Sequence, residues 1–191
     1  RKRTRRRRPR EARDLACGCW TGLSGTTTKD RRKECRNNVT EIRFYHLQRR
    51  PLEWALPQLL EKTLERGWRA VVMARSSERV EALNGLLWTY SKDGFLPHGG
   101  DGDPHPSEHP IWLTETDENP NGATVLFLTD GAESANIGKY DLCCELFDGN
   151  ADDAVAAARE RWKRYLESAH ALTYWQQGDA GGWEKKAETA G

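Results

Sequence analysis

The sequence lacks any long apolar run. No stretch approaches the roughly 18 consecutive apolar residues that a membrane-spanning helix requires. The arginines at the start of the chain are followed by no apolar segment of signal-peptide length, which argues against secretion. From these two absences we expect no membrane among the partners.

Cysteine is scarce and shows no framework spacing. Of the five cysteines, Cys17, Cys19 and Cys35 have no fourth ligand nearby, so we expect no zinc site there. Cys143 and Cys144 are adjacent in a strand-like run, which predicts that they lie buried on opposite faces of a sheet. An odd cysteine count without a disulfide pattern favours a reducing environment, and we expect the protein in the cytoplasm.

The charges are segregated along the chain. Residues 1–38 carry a net charge of +10 and residues 39–191 a net charge of −9. Methionine occurs once, at Met73, and foldable patterning starts abruptly at Val39. We expect Val39 to occupy the position of an alternative start codon, so that residues 1–38 form a non-native or disordered leader. A nucleic-acid-binding arm acting through the clustered arginines is the alternative.

From residue 40 onward, apolar strand-like runs alternate with helical periodicity. This alternation is typical of right-handed crossovers and a sheet covered on both sides. We predict a three-layer α/β domain of Rossmann-like type with a mainly parallel sheet, over residues 39–176. Residues 177–191 are polar and rich in glycine, which predicts a flexible, frayed tail. The predicted strands are 40–47, 68–74, 111–114, 123–129 and 140–147, with helices beginning near Pro51, Ser76 and Asn150.

The phosphate-binding loop of dinucleotide-binding folds is missing. The first strand runs into His46-Leu47-Gln48-Arg49-Arg50-Pro51, where no glycine allows close approach of the backbone to a pyrophosphate. Gly22 to Lys29 lacks the ending of a P-loop. The sequence therefore predicts no nucleotide cofactor. A nucleotide-dependent enzyme on this fold stays open as an alternative.

One loop is crowded with side chains that can bind metals. Three prolines in this segment forbid a helix between His105 and His109, so their spacing has no rigid support. We interpret the segment as a structural loop and predict no metal site. No serine stands in a nucleophile elbow, and we assign no catalytic residue. The residues considered as a metal cluster are His98, Asp101, Asp103, His105, Glu108 and His109.

The last strongly periodic segment, Asn150–Ala169, predicts a helix with Asn150 as its N-cap. Arg159, Trp162 and Lys163 are neighbours three and four residues apart, so two cations flank an indole beside the buried stripe. Such an edge suits a ligand that is both acidic and apolar. An amphipathic helix with a solvated basic face is the simpler interpretation. The predicted stripe consists of Val155, Ala158, Trp162 and Leu166.

Three segments in order carry a resemblance to a known family. They are TEIRFYHL at 40–47, LLW at 86–88 followed by FLPH at 95–98, and ARERWKRY at 158–165. On these segments the chain resembles the chi subunits of bacterial DNA polymerase III, which belong to the clamp-loader complex. The resemblance covers Thr40 to about Trp175, and the leader has no counterpart in the family.

The resemblance implies a non-catalytic bridging function in DNA replication. One surface would bind the acidic C-terminal tail of single-stranded DNA-binding protein, and another would bind the psi subunit, with DNA contacted only indirectly. No residues are assigned to psi. Val155 stands where the family can carry a lysine, and Lys163 and Arg164 are expected to compensate. By resemblance, the tail site falls on Trp88, Phe95, Arg159 and Trp162, with Lys163 beside them.

The chemistry of such a tail fits these residue types. A tail rich in aspartate and ending in Pro-Phe needs an apolar slot for the last ring and a cation for the last carboxylate. Arg159 offers a bidentate charge-assisted pair, while Trp88 and Trp162 offer ring-sized walls. Because residues 39–191 are acidic, long-range steering is poor, and we expect micromolar affinity that weakens with salt.

Overall fold

The computed structural model describes residues 39–168, 170–178 and 182–189. The leader 1–38, with Cys17, Cys19 and Cys35, lies outside these residues, so the expectations for it stay expectations. In the described part of the chain, no helix is both long enough and apolar enough to cross a membrane.

The described residues form one eight-stranded sheet with three α-helices. The strands stand in the order β3-β4-β2-β5-β6-β1-β7-β8, and every neighbouring pair is parallel except β7 and β8. The elements are β1 Glu41–Leu47, α1 Leu52–Glu65, β2 Ala70–Met73, α2 Ser77–Thr89, β3 His98–Gly100, β4 Ile111–Thr114, β5 Val125–Leu128, β6 Leu142–Asp148, α3 Asp152–Glu167, β7 Ala171–Gln177 and β8 Trp183–Glu188.

Helices cover both faces of the sheet. Strand side chains alternate between two cores, as the two-residue period of a strand requires. In β1, Tyr45 and Leu47 join the core beneath α1 and α2, whereas Ile42 and Phe44 join the core beneath α3. The prediction of a three-layer, mainly parallel Rossmann-like domain is confirmed.

The first two helices form where the sequence predicts them. Pro51 precedes α1, where its fixed backbone angle suits a helix start. Ser76 caps α2, because its Oγ accepts the backbone N–H of Arg79 at 3.4 Å. Leu83 and Leu87 of α2 are buried against the sheet. Helical spacing therefore fixes which face of α2 is covered.

Cys143 and Cys144 are buried on opposite faces of β6, as predicted. Burial raises the pKa of both thiols, that of Cys144 to about 12. Both side chains act as small apolar groups in the two cores.

The end of the chain differs from the prediction of a frayed tail beginning at residue 177. Residues 171–177 form β7 beside β1, and residues 183–188 return antiparallel as β8. Trp183 anchors the return strand, since its ring meets Tyr45 edge-on at 4.7 Å between centroids. β8 is otherwise exposed and charged, which is common in strands at a sheet edge. Composition alone therefore did not reveal it.

His98, one of the residues considered as a metal ligand, makes structural contacts at the start of β3. His98 is buried, with Nδ1 at 2.6 Å from the Leu96 carbonyl and Nε2 at 2.8 Å from Asn84 Oδ1. The expectation that no helix separates His105 from His109 needs correction, because Pro106–Glu108 form one 3-10 turn. Proline at its first position is compatible with that turn. Within the described residues, no three His, Cys, Asp or Glu side chains are placed to hold a metal ion.

Candidate functional site

Helix α3 begins one residue later than the predicted N-cap, Asn150, implies. Its N-cap is Ala151, which provides no side-chain cap. Asn150 instead belongs to a turn, where its backbone N–H donates to Asp148 Oδ1 at 2.8 Å. The assignment of Asn150 as N-cap was therefore wrong. Asp152 and Asp153 do occupy the first helical turn, where the helix dipole favours carboxylates.

The covered face of α3 is rotated from the predicted stripe. Ala158 is buried as expected, but Leu166 is 43% exposed. Arg161 is buried instead, because its Nε donates to the carboxylate of Glu145 on β6, which is also buried. Burial raises the pKa of Glu145 to about 7, although the charge of Arg161 opposes the rise. Sequence reasoning missed this pair; the glutamate inside the apolar run LCCELFD was the available signal.

A groove of about 850 Å³ runs along one edge of α3, which we call the α3 groove. The helix forms one wall, and strands β1, β6 and β7 provide the floor. Its lining is predominantly apolar and aromatic, which is usual for ligand sites. The residues that matter for its chemistry are Phe44, His46, Phe147, Val155, Arg159, Trp162, Lys163 and Tyr174.

The floor of the α3 groove is a continuous set of aromatic rings. Trp162 contacts Phe44 edge-on, with 5.2 Å between centroids, and Tyr174 at 6.4 Å. His46 stacks on Phe147 at 5.0 Å. These edge-to-face and stacked contacts are favoured by the ring quadrupoles and hold the rings in fixed orientations. The floor of the groove is therefore preformed and aromatic.

Cations stand at the rim of this floor. Arg159 is exposed, and within the described residues no carboxylate forms an ion pair with it. Lys163 pairs with Glu160 at 2.7 Å, but both side chains are about two-thirds exposed, so that pair is weak. The arrangement of Arg159, Trp162 and Lys163 along one edge matches the helical spacing. It leaves a guanidinium available to an anion beside an apolar slot.

Trp88 and Phe95 do not lie in the α3 groove. Trp88 belongs to α2, which packs on the sheet face covered by α1, whereas Trp162 packs on the opposite face. The sheet therefore separates the two tryptophans. The structure does not bring Trp88 together with Arg159, so the expectation of one site formed by all five residues needs correction.

Trp88 and Phe95 form a second exposed feature, which we call the Trp88 patch. The two rings lie 5.9 Å apart between centroids, and Trp88 also contacts His98 at 5.2 Å. They are 60% and 66% exposed. Large aromatic side chains this exposed are uncommon on a protein surface and mark contact sites.

His46 lies at the base of the α3 groove with little access to solvent. Its Nδ1 hydrogen-bonds the hydroxyl of Tyr174, and its Nε2 is buried without a hydrogen-bond partner among the described residues. Burial lowers the pKa of His46 below its ordinary value, and the nearby charge of Arg159 lowers it further. A neutral imidazole is therefore part of the floor near pH 7.

Gly149 makes room for this histidine. A Cβ at Gly149 would fall 1.8 Å from His46 Nε2 and 2.8 Å from the Leu47 carbonyl oxygen.

Replacing Gly149 by alanine is expected to destabilise the fold by about 1–3 kcal/mol, because a buried ring and a backbone segment must both shift. Urea denaturation measures this loss. Gly85→Ala is the control, since Gly85 is exposed within α2 and its Cβ meets nothing; that change should stabilise by about 0.5–1 kcal/mol. Equal stabilities of the two variants would contradict the prediction.

The loop after β1 uses its own backbone donors internally. The side-chain oxygen of Gln177 accepts the backbone N–H groups of Gln48, Arg49 and Arg50 at 3.1, 2.8 and 2.9 Å. In dinucleotide-binding folds, the loop at this position directs such donors at a pyrophosphate. Here an amide oxygen from β7 satisfies them.

The fold and the groove define a class: doubly wound α/β domains without a phosphate-binding loop, which carry an aromatic groove with a cationic rim. Comparison of the sequence with known protein families identifies one family within that class. The family model for the DNA polymerase III chi subunit, HolC, matches residues 39–173. The chain therefore belongs to the DNA polymerase III chi subunit family.

A relative gives the same result. The chain is 34% identical over 99 residues to a protein of Rickettsia prowazekii (strain Madrid E) named probable DNA polymerase III subunit chi. The matched region is 52% of this chain and 60% of the relative. The chain thus matches about three fifths of the relative's length.

Proposed function

We propose that this chain is an accessory subunit of the DNA polymerase III holoenzyme that binds the acidic C-terminal tail of single-stranded DNA-binding protein in the α3 groove. The observation that carries the proposal is the available guanidinium of Arg159 at the rim of an aromatic slot. Of the five residues expected from the sequence, the proposed site retains Arg159, Trp162 and Lys163. Trp88 and Phe95 are not part of it.

The groove complements each part of such a tail. The final phenylalanine ring fits among Trp162, Tyr174 and Phe147, where it exchanges water for aromatic contacts. The terminal carboxylate then reaches Arg159, which accommodates it with two parallel N–H donors. Lys163 stands one turn further along α3, within reach of an aspartate that precedes the ring. Both chemical features of the tail are thus met within one groove.

Local contacts must provide the affinity, because residues 39–191 carry a net charge of −9. A long-range field of that sign repels an anionic tail and slows association. We expect a dissociation constant on the order of micromolar, equivalent to about −8 kcal/mol, that weakens as salt screens the rim contacts.

Calorimetry with the full chain tests the proposal. The probe is a ten-residue peptide rich in aspartate and ending in Pro-Phe. The control is a peptide of identical composition with Pro-Phe moved to its centre, which separates groove binding from simple attraction to the basic residues 1–38. Binding of the first peptide only, at one site per chain, is expected. Equal binding of both peptides would contradict the proposal.

We propose further that the Trp88 patch binds the psi subunit. A bridging protein needs two surfaces that can be occupied together, and the sheet separates this patch from the α3 groove. Exposed paired aromatic rings are typical anchors of protein interfaces. This assignment accounts for the exposure of Trp88 and Phe95, which no contact among the described residues removes.

Replacing Trp88 by alanine is expected to weaken binding to psi by at least about 30-fold, because truncating a central aromatic anchor costs about 2 kcal/mol or more. Surface plasmon resonance with immobilised psi subunit measures the loss. Affinity of the same variant for the acidic peptide should stay within twofold of the parent. Loss of peptide binding with intact psi binding would reverse the two assignments.

We propose that the chain acts by binding alone, with no cofactor. The engagement of the β1–α1 loop by Gln177 supports this, since the donors that would hold a phosphate are already used. The Arg-rich segment 1–38 lies outside the described residues, and we propose no role for it.

A further inference from the structure

We propose that His46 couples occupation of the α3 groove to uptake of a proton. The inference rests on the proposed function, since it concerns the same groove and the same anionic ligand. It assigns a role to His46, a buried polar residue that the proposed contacts with the ligand do not involve. His46 is a positioning residue in this account, acting on the groove through Tyr174 and through its charge.

The imidazole of His46 is enclosed by residues of the groove and by Gly149. Its ring stacks on Phe147, its Nδ1 meets the Tyr174 hydroxyl, and its Nε2 is enclosed at Gly149. The side chain is 8% exposed yet forms part of the groove lining. A change in the charge at the groove therefore acts on His46 through protein and bound ligand rather than through bulk water.

The charged and titratable groups around His46 come from α3, β6 and β7. From α3, Arg159 repels the protonated ring, and Lys163 with Glu160 stands further out on the rim. From β6, Asp148 attracts the protonated ring, while Glu145 is engaged with Arg161 on the same sheet face. β7 contributes the titratable hydroxyl of Tyr174, and β8 contributes Ala187 to the lining.

A carboxylate bound at Arg159 counters the positive charge that lowers the pKa of His46. It neutralises the guanidinium and places a negative charge near the imidazole, so the pKa of His46 rises towards or above its ordinary value. Between the two pKa values the complex holds a proton that the free protein does not. Binding therefore takes up protons, and affinity increases as the pH falls from 7.5 to 5.5. The aspartates of the tail, with ordinary pKa values near 4, stay ionised over this range.

The test is calorimetry of the full chain with the aspartate-rich Pro-Phe peptide at pH 6.0, in two buffers of different ionisation enthalpy. The parent protein is expected to show a buffer-dependent enthalpy corresponding to net proton uptake. It should also bind about threefold or more tightly at pH 5.5 than at pH 7.5. His46→Gln keeps a side chain that can bond Tyr174 but does not titrate.

His46→Gln should lose both the buffer-dependent enthalpy and the pH dependence of peptide binding, whatever its affinity at pH 7.5. His170→Gln is the matched control, because burial also lowers the pKa of His170, which lies outside the groove lining. It should behave as the parent. Thermal unfolding verifies that each variant is folded.

The possible results separate the two proposals. Peptide binding by the parent with no proton uptake, or equal uptake by His46→Gln, would overturn the role of His46 and leave the groove assignment standing. Absence of peptide binding by the parent at both pH values would overturn the proposed function, and the coupling with it.

Discussion

Arg159→Glu is expected to weaken binding of the acidic Phe-terminated peptide by at least about 100-fold, to below detection in calorimetry. The substitution removes a charge-assisted pair that contributes about 1.5–3 kcal/mol and adds repulsion of similar size. The fold should be unaffected, because Arg159 is exposed and, within the described part of the chain, forms no ion pair. Calorimetry measures the peptide affinity of the variant, and urea denaturation measures its stability.

Arg164→Glu is the matched control for this prediction. Arg164 lies on the same helix and is also exposed, but it is not part of the groove lining and pairs with Glu133 at 2.9 Å, so the expectation that it compensates for Val155 needs correction. The two variants have the same net charge, so a general electrostatic effect would weaken both alike. We expect Arg164→Glu to bind the peptide within about threefold of the parent, a change of about 0.7 kcal/mol. Equal losses in the two variants would contradict the assignment of Arg159.

Arg161→Met is expected to destabilise the protein by about 3–5 kcal/mol at pH 7.5. It removes one partner of a buried ion pair and leaves the carboxylate of Glu145 uncompensated inside the protein. Urea denaturation measures the loss. In the double variant Glu145→Gln/Arg161→Met, most of the stability should return, because no buried charge remains. An effect of Arg161→Met below 1 kcal/mol would contradict this interpretation of the pair.

The same pair predicts how stability depends on pH. The pKa of Glu145 is raised from its ordinary 4.5 to about 7 in the folded protein. Between these values the folded state binds more protons than the unfolded state, so the contribution of Glu145 makes the protein less stable as pH rises from about 4.5 to about 7. The destabilisation caused by Arg161→Met should shrink towards pH 5.5, where Glu145 takes up a proton. Glu145→Gln should remove this pH dependence of stability, both in the parent and in the Arg161→Met variant.

The layered fold could be predicted because the sheet is buried on both faces. Runs such as WRAVVMA are almost continuously apolar, which is typical of covered parallel strands and separates them from the helices. β8 could not be predicted in this way. Its side chains are mostly charged and exposed, and it is held by pairing with β7 and by Trp183. Charged side chains are common on edge strands, so β8 lacks the apolar alternation by which a strand is predicted.

The candidate site was predictable only along one helix. Spacing alone places Arg159, Trp162 and Lys163 on one edge of α3. Whether Trp88 shares that edge depends on which face of the sheet α2 covers, and local sequence does not contain that information. The floor residues come from three strands distant in sequence, such as Phe44 and Tyr174, and only the order of the strands brings them together.

The most direct test of the account is a crystal structure of the full chain with the aspartate-rich Pro-Phe peptide. We predict the terminal phenylalanine ring between Trp162 and Tyr174, with the terminal carboxylate paired to the guanidinium of Arg159. A peptide seated on Trp88 and Phe95, with the α3 groove empty, would contradict the central claim that this groove is the tail-binding site.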